Sequence, residues 1–383
     1  MLGEWFLSVA LSLGIVFGFF IFLKRTLGAE YSRQWFLQAL IIVGYIHFVI
    51  RKHLSFNIDS QSGRTFGKLG AGTWLTILRG VLLASLAGFL FLPWPGFGNL
   101  QNYLSWLPGV LYLVAVLADY LDGYVARRTN HQSVLGRILD IRFDALGMLI
   151  APLLAILYGQ IPFYYFSVSI GYYFIQFVRR MRERRGRPLY PIHPRPSAKW
   201  FAGAQMVFVG VALLPLFSPP ATSVSAIVFM LPELYEFLRD YLIMTGSRKK
   251  MISRLLNKFI RIVSDNYNAF ILIIRTILVF FGMRWLFLRF YYGSASADEI
   301  YFFSACGSLG YTMLIPGLAV LLIGLGVFSR IAALILIFVV ALAIALTGSD
   351  FIGLYMLIAS EMIVLFGPGS WVLFRKQRKP MLL

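Results

Sequence analysis

The chain has 383 residues, of which 59% are hydrophobic and only 13% charged, with a mean hydropathy of +0.76. A soluble domain carries nearer 25% charge, so a soluble protein is excluded. Apolar runs of roughly 17–25 residues, each enough to cross a bilayer, recur from end to end and read as an all-α polytopic membrane protein. The net charge of +19 belongs to the positive-inside rule and to anionic lipid headgroups rather than to nucleic acid, because no soluble basic domain accompanies it.

The first apolar run, 5–23, has Glu4 ahead of it, no small-residue cleavage site and Lys24-Arg25 behind it, which reads as a retained anchor rather than a signal peptide. The next, 35–50, is shorter, contains Gln38 and His47, and is flanked by basic residues at both ends. Were it to span, Lys24, Arg25 and Arg33 would fall opposite the other basic clusters, so an interfacial or re-entrant helix is expected. Residues 55–72 form a connector. Further spans are expected near 73–93, 103–127, 136–158, 162–179, 198–216, 223–243, 268–288, 303–327, 331–347 and 351–367, about 11–12 in all.

Charge assigns their sides. Connections 94–102, 159–161 and 217–222 contain no Lys or Arg, whereas the alternate ones carry Arg127, Arg128 and Arg137, then clusters at 179–199, 248–261 and 375–379. The clustered side is cytoplasmic. The lone cysteine, Cys306, rules out an internal disulfide or a cysteine metal cluster and reads as a small buried apolar residue.

The chemistry lies between the third and fourth of these spans, in the pattern Asp119-x2-Asp122-Gly123-x2-Ala126-Arg127-x8-Gly136-x3-Asp140-x3-Asp144. Residues three and four apart share a helix face, so Asp119, Asp122 and Ala126 line one helix end and Gly136, Asp140 and Asp144 line the next. A short turn containing Thr129, Asn130 and Gln132 returns the chain antiparallel, so that two carboxylate faces oppose one another. Acids at such a depth are functional candidates, and a cluster of them stays ionised only when cations neutralise it. Hard divalent ions such as Mg2+ bridge carboxylates to phosphates, and two of them clamp both oxygens of a phosphoryl displacement. Gly123 and Gly136 allow a nucleotide close to the backbone, and Arg127 offers a planar fork to a phosphate. Salt-bridging to Arg128, Arg137 and Arg142 would explain a single aspartate, but not eight fixed positions.

This pattern matches, without departure, the signature of the CDP-alcohol phosphotransferase family, and the resemblance covers about 73–241. Two further segments agree. Thr73-Trp74-Leu75-Thr76-Ile77-Leu78-Arg79 is similar to the family's Asn-x-Leu-Thr-x-x-Arg opening, with Thr73 in place of Asn. Ser197-Ala198-Lys199 with Gln205 resembles its Gly-Lys-x-Lys-Thr-x-x-Gln segment, keeping Lys199 and Gln205. The resemblance implies a six-helix membrane core that transfers a phospho-alcohol group, here a phosphatidyl group, from a CDP-linked lipid donor to an acceptor hydroxyl and releases CMP. It implies that Asp119, Asp122, Asp140 and Asp144 hold Mg2+ or Mn2+, two ions in all. Asp144 is the implied general base, while Thr76, Gly123, Ala126, Arg127 and Gly136 border the nucleotide. Dimerisation through the core, common in the family, is carried over as an expectation. The implied location is a bacterial-type inner membrane, with the site on the cytoplasmic side.

The arginine-rich connection from Arg179 to Lys199 serves topology and anionic lipid. Arg195 and Lys199, beside a helix start, are the candidates for holding a small or phosphorylated alcohol acceptor. His131 and His193 read as incidental loop residues, and Glu233 and Glu236 as partners of Arg239 in a polar interior. From about Asn268 the motifs change, and the Gly- and Ala-rich run 317–333 with the closing Gly367-Pro-Gly-Ser-Trp371 resembles the DoxX-type four-helix membrane family. Arg275 and Glu361 are intramembrane charges read as structural. The expected domains are 1–66 (anchor and interfacial helices), 67–245 (phosphotransferase core), 246–265 (basic connector) and 266–383 (DoxX-like bundle). Two other readings stand beside phosphatidyl transfer: CDP-choline- or CDP-ethanolamine-type transfer to a diradylglycerol, and a membrane transporter or redox-complex subunit.

Overall fold

The computed structural model describes residues 1–96, 102–192, 195–246, 252–292, 309–347, 351–367 and 369. His193, Arg248, Cys306, the basic run 375–379 and most of the closing 367–371 motif lie outside them. The described residues form α-helices and no strand: α1 (Leu2–Leu27), α2 (Ala29–His53), α3 (Ala71–Ala87), α4 (Tyr103–Arg128), α5 (Val134–Leu157), α6 (Phe166–Arg184), α7 (Pro196–Ala212), α8 (Ala221–Met244), α9 (Ile252–Tyr292), α10 (Leu309–Leu325), α11 (Ser329–Thr347) and α12 (Phe351–Phe366). The chain is an all-α polytopic membrane protein, with five described helices long and apolar enough to cross a bilayer: Leu2–Leu27, Ala29–Phe56, Tyr103–Arg128, Ala221–Met244 and Asn266–Phe287. Fewer helices meet that measure than the expected spans, for a physical reason. Helix α5 opens with Arg137, Asp140, Arg142 and Asp144, α6 closes in arginines, and three of the C-terminal helices are short.

Two compact units divide the chain, Met1–Ser169 with Met206–Pro215, and Ile170–Gln205 with Leu216–Leu383. The division falls inside the segment expected to form one core.

In the first unit, α1 and α2 form a hairpin reversed at Gly28, whose φ of 94° is a conformation that glycine adopts without steric cost. The stretch 35–50, expected as a surface or re-entrant helix, lies within α2, which runs 25 residues and is long and apolar enough to cross a bilayer. Its buried polar residues include Ser32 and His47. His47 Nε2 lies 3.0 Å from Ser12 Oγ, and Trp5 Nε1 donates to the His47 carbonyl at 3.2 Å. Trp35, fully buried, donates to the Ser85 carbonyl at 3.1 Å. These internal partners remove the penalty that would have kept such a segment at the interface. The Tyr31 hydroxyl donates to the Pro93 carbonyl, so Lys24, Arg25 and Arg33 lie toward the end of the unit away from the start of α3.

Helix α3 lies against α4 because neither carries bulk where they meet. A Cβ on Gly72 would stand 2.8 Å from Ala126 Cβ and 2.9 Å from the Asp122 carbonyl, and small residues at such crossings let backbones close up. Gly72→Val is therefore expected to force α3 and α4 apart, lowering stability by roughly 1–3 kcal/mol. A thermal melt in detergent checks this.

In the second unit, α12 packs on α7 and α8 through Phe201, Val228 and Leu365, and Trp200 Nε1 donates to the Leu365 carbonyl at 3.1 Å. Glu361 is buried in that contact. Arg275 Nε and Nη2 donate to the carbonyls of Ile323 and Gly324 at the end of α10, as cations near helix C-termini do. Residues 252–265 of the expected basic connector continue without a break into the apolar part of α9, a single 41-residue helix.

Candidate active site

The loop between α4 and α5 is specified residue by residue. Helix α4 ends with Asn130 in the left-handed region (φ 51°), and the His131 amide donates back to the Ala126 carbonyl at 3.0 Å, the bond that closes a helix over a left-handed residue. Three residues later Ser133 caps α5, its Oγ accepting from the Gly136 amide at 2.9 Å. These two devices fix the antiparallel return that brings the aspartate faces together. Ser133→Ala is expected to cost about 1 kcal/mol, and Asn130→Ala about 1–2 kcal/mol, whereas Asn130→Gly is tolerated. Denaturation midpoints of the three variants check the ranking.

Oxygens of Asp119, Asp140 and Asp144 lie within 4.8 Å of one another. Asp122 stands apart, buried, and accepts a 2.7 Å hydrogen bond from the Thr76 hydroxyl. The residue that joins the group is Arg79, one turn beyond Thr76 on α3. Its Nη1 pairs with Asp119 and, at 3.2 Å, with Asp140; its Nη2 pairs with Asp144 at 3.1 Å and donates to the Asp140 carbonyl at 3.0 Å. Its side chain is 3% exposed, against 30–43% for the three carboxylates. Arg128, Arg137 and Arg142, the cations nearest in sequence, form no ion pair with these aspartates among the described residues. Arg128 instead donates to the Tyr124 hydroxyl at 3.0 Å.

The sequence reading quoted Arg79 within a motif without giving it a role. An arginine at i+3 from Thr76, in an otherwise apolar helix, repeats the spacing of Asp119 and Asp122 and was the available signal.

Two cavities border the carboxylate cluster. One, about 220 Å3, is lined by Thr76, Asp122, Gly123, Ala126, Arg127, Gly136 and Asp140, together with Gly72, Thr73, Arg137 and the residues of the turn. All five residues expected to border a nucleotide thus meet on one cleft with two of the aspartates. Neither Arg127 nor Arg137 forms an ion pair among the described residues. The other cavity, about 20 Å3, is apolar apart from Arg79, Asp119 and Asp144.

The donor set fits hard divalent cations. It offers only carboxylate oxygens, and four carboxylates against one guanidinium leave the group strongly anionic.

In the second unit, Arg195 is committed to Glu236, Nη2 to Oε2 at 3.1 Å. Glu236 also accepts from Ser197 Oγ at 3.4 Å and lies 3.8 Å from Arg239. Lys199 is exposed. The expected partnership of Glu236 with Arg239 is present, with Arg195 the nearer cation.

Residues 71–234 match the family model described as CDP-alcohol phosphatidyltransferase. Among curated proteins, it is 30% identical over 145 residues to the CDP-diacylglycerol–glycerol-3-phosphate 3-phosphatidyltransferase of Cereibacter sphaeroides, covering 37% of this chain and 61% of that one. To the protein of the same name from Mycoplasma pneumoniae it is 34% identical over 116 residues, 25% of this chain and 48% of that one. To the cardiolipin synthase (CMP-forming) of Streptomyces coelicolor it is 44% identical over 79 residues, 20% and 36% of the two chains. The chain therefore spans less than two thirds of each relative's length. No solved structure matches it.

Proposed function

We propose that this protein transfers a phosphatidyl group from a CDP-linked lipid donor to an acceptor hydroxyl, releasing CMP, in phospholipid synthesis. The observation that carries the reading is that three motif aspartates, Asp119, Asp140 and Asp144, converge beside a cleft lined by the fourth, Asp122, and by the motif's own Gly123, Ala126, Arg127 and Gly136. The relatives' printed names support a CDP-diacylglycerol donor over a CDP-choline type, and glycerol 3-phosphate as the first acceptor to test. A transporter has no need of the Gly-x-x-Ala-Arg frame.

In this reading Asp119, Asp140 and Asp144, with Asp122 beside them, hold one or two Mg2+ or Mn2+ ions, which when bound supply charge neutralisation on the donor pyrophosphate. Arg127 and Arg137 steady the nucleotide phosphates. Thr76 holds Asp122 through its hydroxyl, and Arg79 orients the other three carboxylates. Asp144, which opens onto the apolar cavity and not onto the nucleotide cleft, takes the proton from the acceptor hydroxyl. The acceptor oxygen bonds to the lipid-side phosphorus as the pyrophosphate P–O bond breaks, and CMP leaves with that electron pair.

The site faces the cytoplasm of a bacterial-type inner membrane, among anionic lipids, because most basic loops share its side. With α2 spanning, Lys24, Arg25 and Arg33 are the exception. The C-terminal helices serve as a DoxX-like accessory bundle, and the protein dimerises through its core. Lys199 holds the acceptor phosphate, joined by Arg195 once it is released from Glu236.

Purified protein supplied with CDP-diacylglycerol and, separately, glycerol 3-phosphate, serine, inositol or inositol phosphate should convert one acceptor to a lipid product. Lipid product from none of these, alongside transfer from CDP-choline to diradylglycerol, would replace this reading with the other enzyme class.

A further inference from the structure

The connector between α2 and α3 is built onto the turn that joins the aspartate helices. The Ser60 amide donates to the Gln132 carbonyl at 2.9 Å, and the Val134 amide donates to the Ile58 carbonyl at 2.9 Å. Asn57 organises the connector from within: its Nδ2 donates to the carbonyls of Phe66 (3.3 Å) and Lys68 (2.9 Å), and its carbonyl accepts from the Phe66 amide at 2.9 Å. Phe66, so held, stacks on His131 of the turn, with ring centroids 3.7 Å apart and planes at 22°. On its other flank His131 meets Gly70, where an added Cβ would stand 2.3 Å from Cδ2 and 2.6 Å from Cγ. Its ring is therefore fixed between connector and turn. Ser60, His131 and Gln132 all line the large cleft.

That cleft has two chemical halves. Asp122, Asp140, Arg127 and Arg137 supply its charges and suit metal-bound phosphates. Its uncharged polar lining includes Thr73 and Thr76 beside Ser60, His131, Gln132 and Ser133, so the turn and connector add hydroxyls and an amide with no carboxylate among them. A base and sugar match such a surface through the neutral donors and acceptors along their edges, while the faces of the His131 ring are taken by Phe66 and Gly70.

We propose that the connector is the outer wall of the donor pocket, and that His131, backed by Phe66, binds the nucleoside half of the donor. Gly70 acts through His131 as a positioning residue. The inference rests on the donor being nucleotide-linked, as proposed above, and extends its binding surface beyond the aspartate motif to the segment that follows the N-terminal hairpin.

The test compares full-length wild type with His131→Ala and Gly70→Ala, neither of them a proposed metal holder. Binding of radiolabelled CMP by equilibrium dialysis in Mg2+ is measured beside the KM for donor, the KM for acceptor and kcat. Both variants should weaken CMP binding and raise the donor KM about tenfold, leaving kcat and acceptor KM nearly unchanged. His131→Gln serves in place of an alanine variant that fails to fold. Variants that bind CMP as tightly as a CMP-binding wild type overturn the wall while leaving the function standing. A uniform fall in kcat and both affinities that tracks a lowered melting temperature also overturns it. Wild-type protein that neither binds CMP nor releases it overturns both.

Discussion

Asp144→Asn is expected to lower kcat for CMP release by roughly 10²–10⁴-fold, the range typical of a lost general base, while leaving CMP affinity close to that of the wild type. The asymmetry follows from placement. Asp122 and Asp140 line the large cleft, whereas Asp144 and Asp119 line the small, mostly apolar cavity with Arg79. A proton acceptor there stands away from the departing CMP, where an incoming hydroxyl approaches in line. Asparagine keeps the shape and one oxygen for Arg79 but has no basic carboxylate. Asp140→Asn, by contrast, is expected to weaken CMP binding in Mg2+ as well, because Asp140 belongs to both the carboxylate cluster and the cleft. Equilibrium dialysis with CMP beside steady-state kinetics separates the two cases.

The second large effect belongs to Arg79. Replacing it with Met keeps the apolar stem and removes the only cation among the described residues that pairs with Asp119, Asp140 and Asp144. Breaking a buried ion pair from one side costs roughly 3–5 kcal/mol. Here the carboxylates are about a third exposed, so water recovers part of that and about 2–4 kcal/mol is expected. Divalent cations should restore more of the loss than in the wild type, since binding to the folded state stabilises it by mass action. The melting temperature of Arg79→Met is therefore expected to depend steeply on Mg2+ and to fall furthest in EDTA. An equal Mg2+ dependence in both proteins would show that Arg79 does not share the carboxylates with metal.

Much of the first unit's chemistry was legible because it is local. Aspartates at i, i+3 and i+4 declare their own faces, and Ser133 and Asn130 are residue types suited to the cap and the turn they make. What stayed hidden depends on partners distant in sequence. Arg79 reaches Asp140 across 61 residues, and no local pattern names which of several arginines will do so. Residues 35–50 were read as interfacial from their short apolar run and from the side that Lys24, Arg25 and Arg33 would take, and nothing local announced that Ser12 on α1 partners His47. His131 read as incidental because Phe66 and Gly70, which hold it, lie in a stretch with no periodicity. Arg195 read as free for a phosphate because Glu236 follows 41 residues later. The continuation of the basic connector into α9 was missed for a simpler reason: hydropathy changes along that helix, but helicity does not.

The most direct test of the central claim is CMP release from CDP-diacylglycerol by purified full-length protein, with glycerol 3-phosphate as acceptor, across a titration of Mg2+ and with EDTA. The account predicts release that requires both the divalent ion and the acceptor and is abolished by Asp144→Asn. Equal CMP release by wild type and Asp144→Asn, or release unaffected by EDTA, would contradict it.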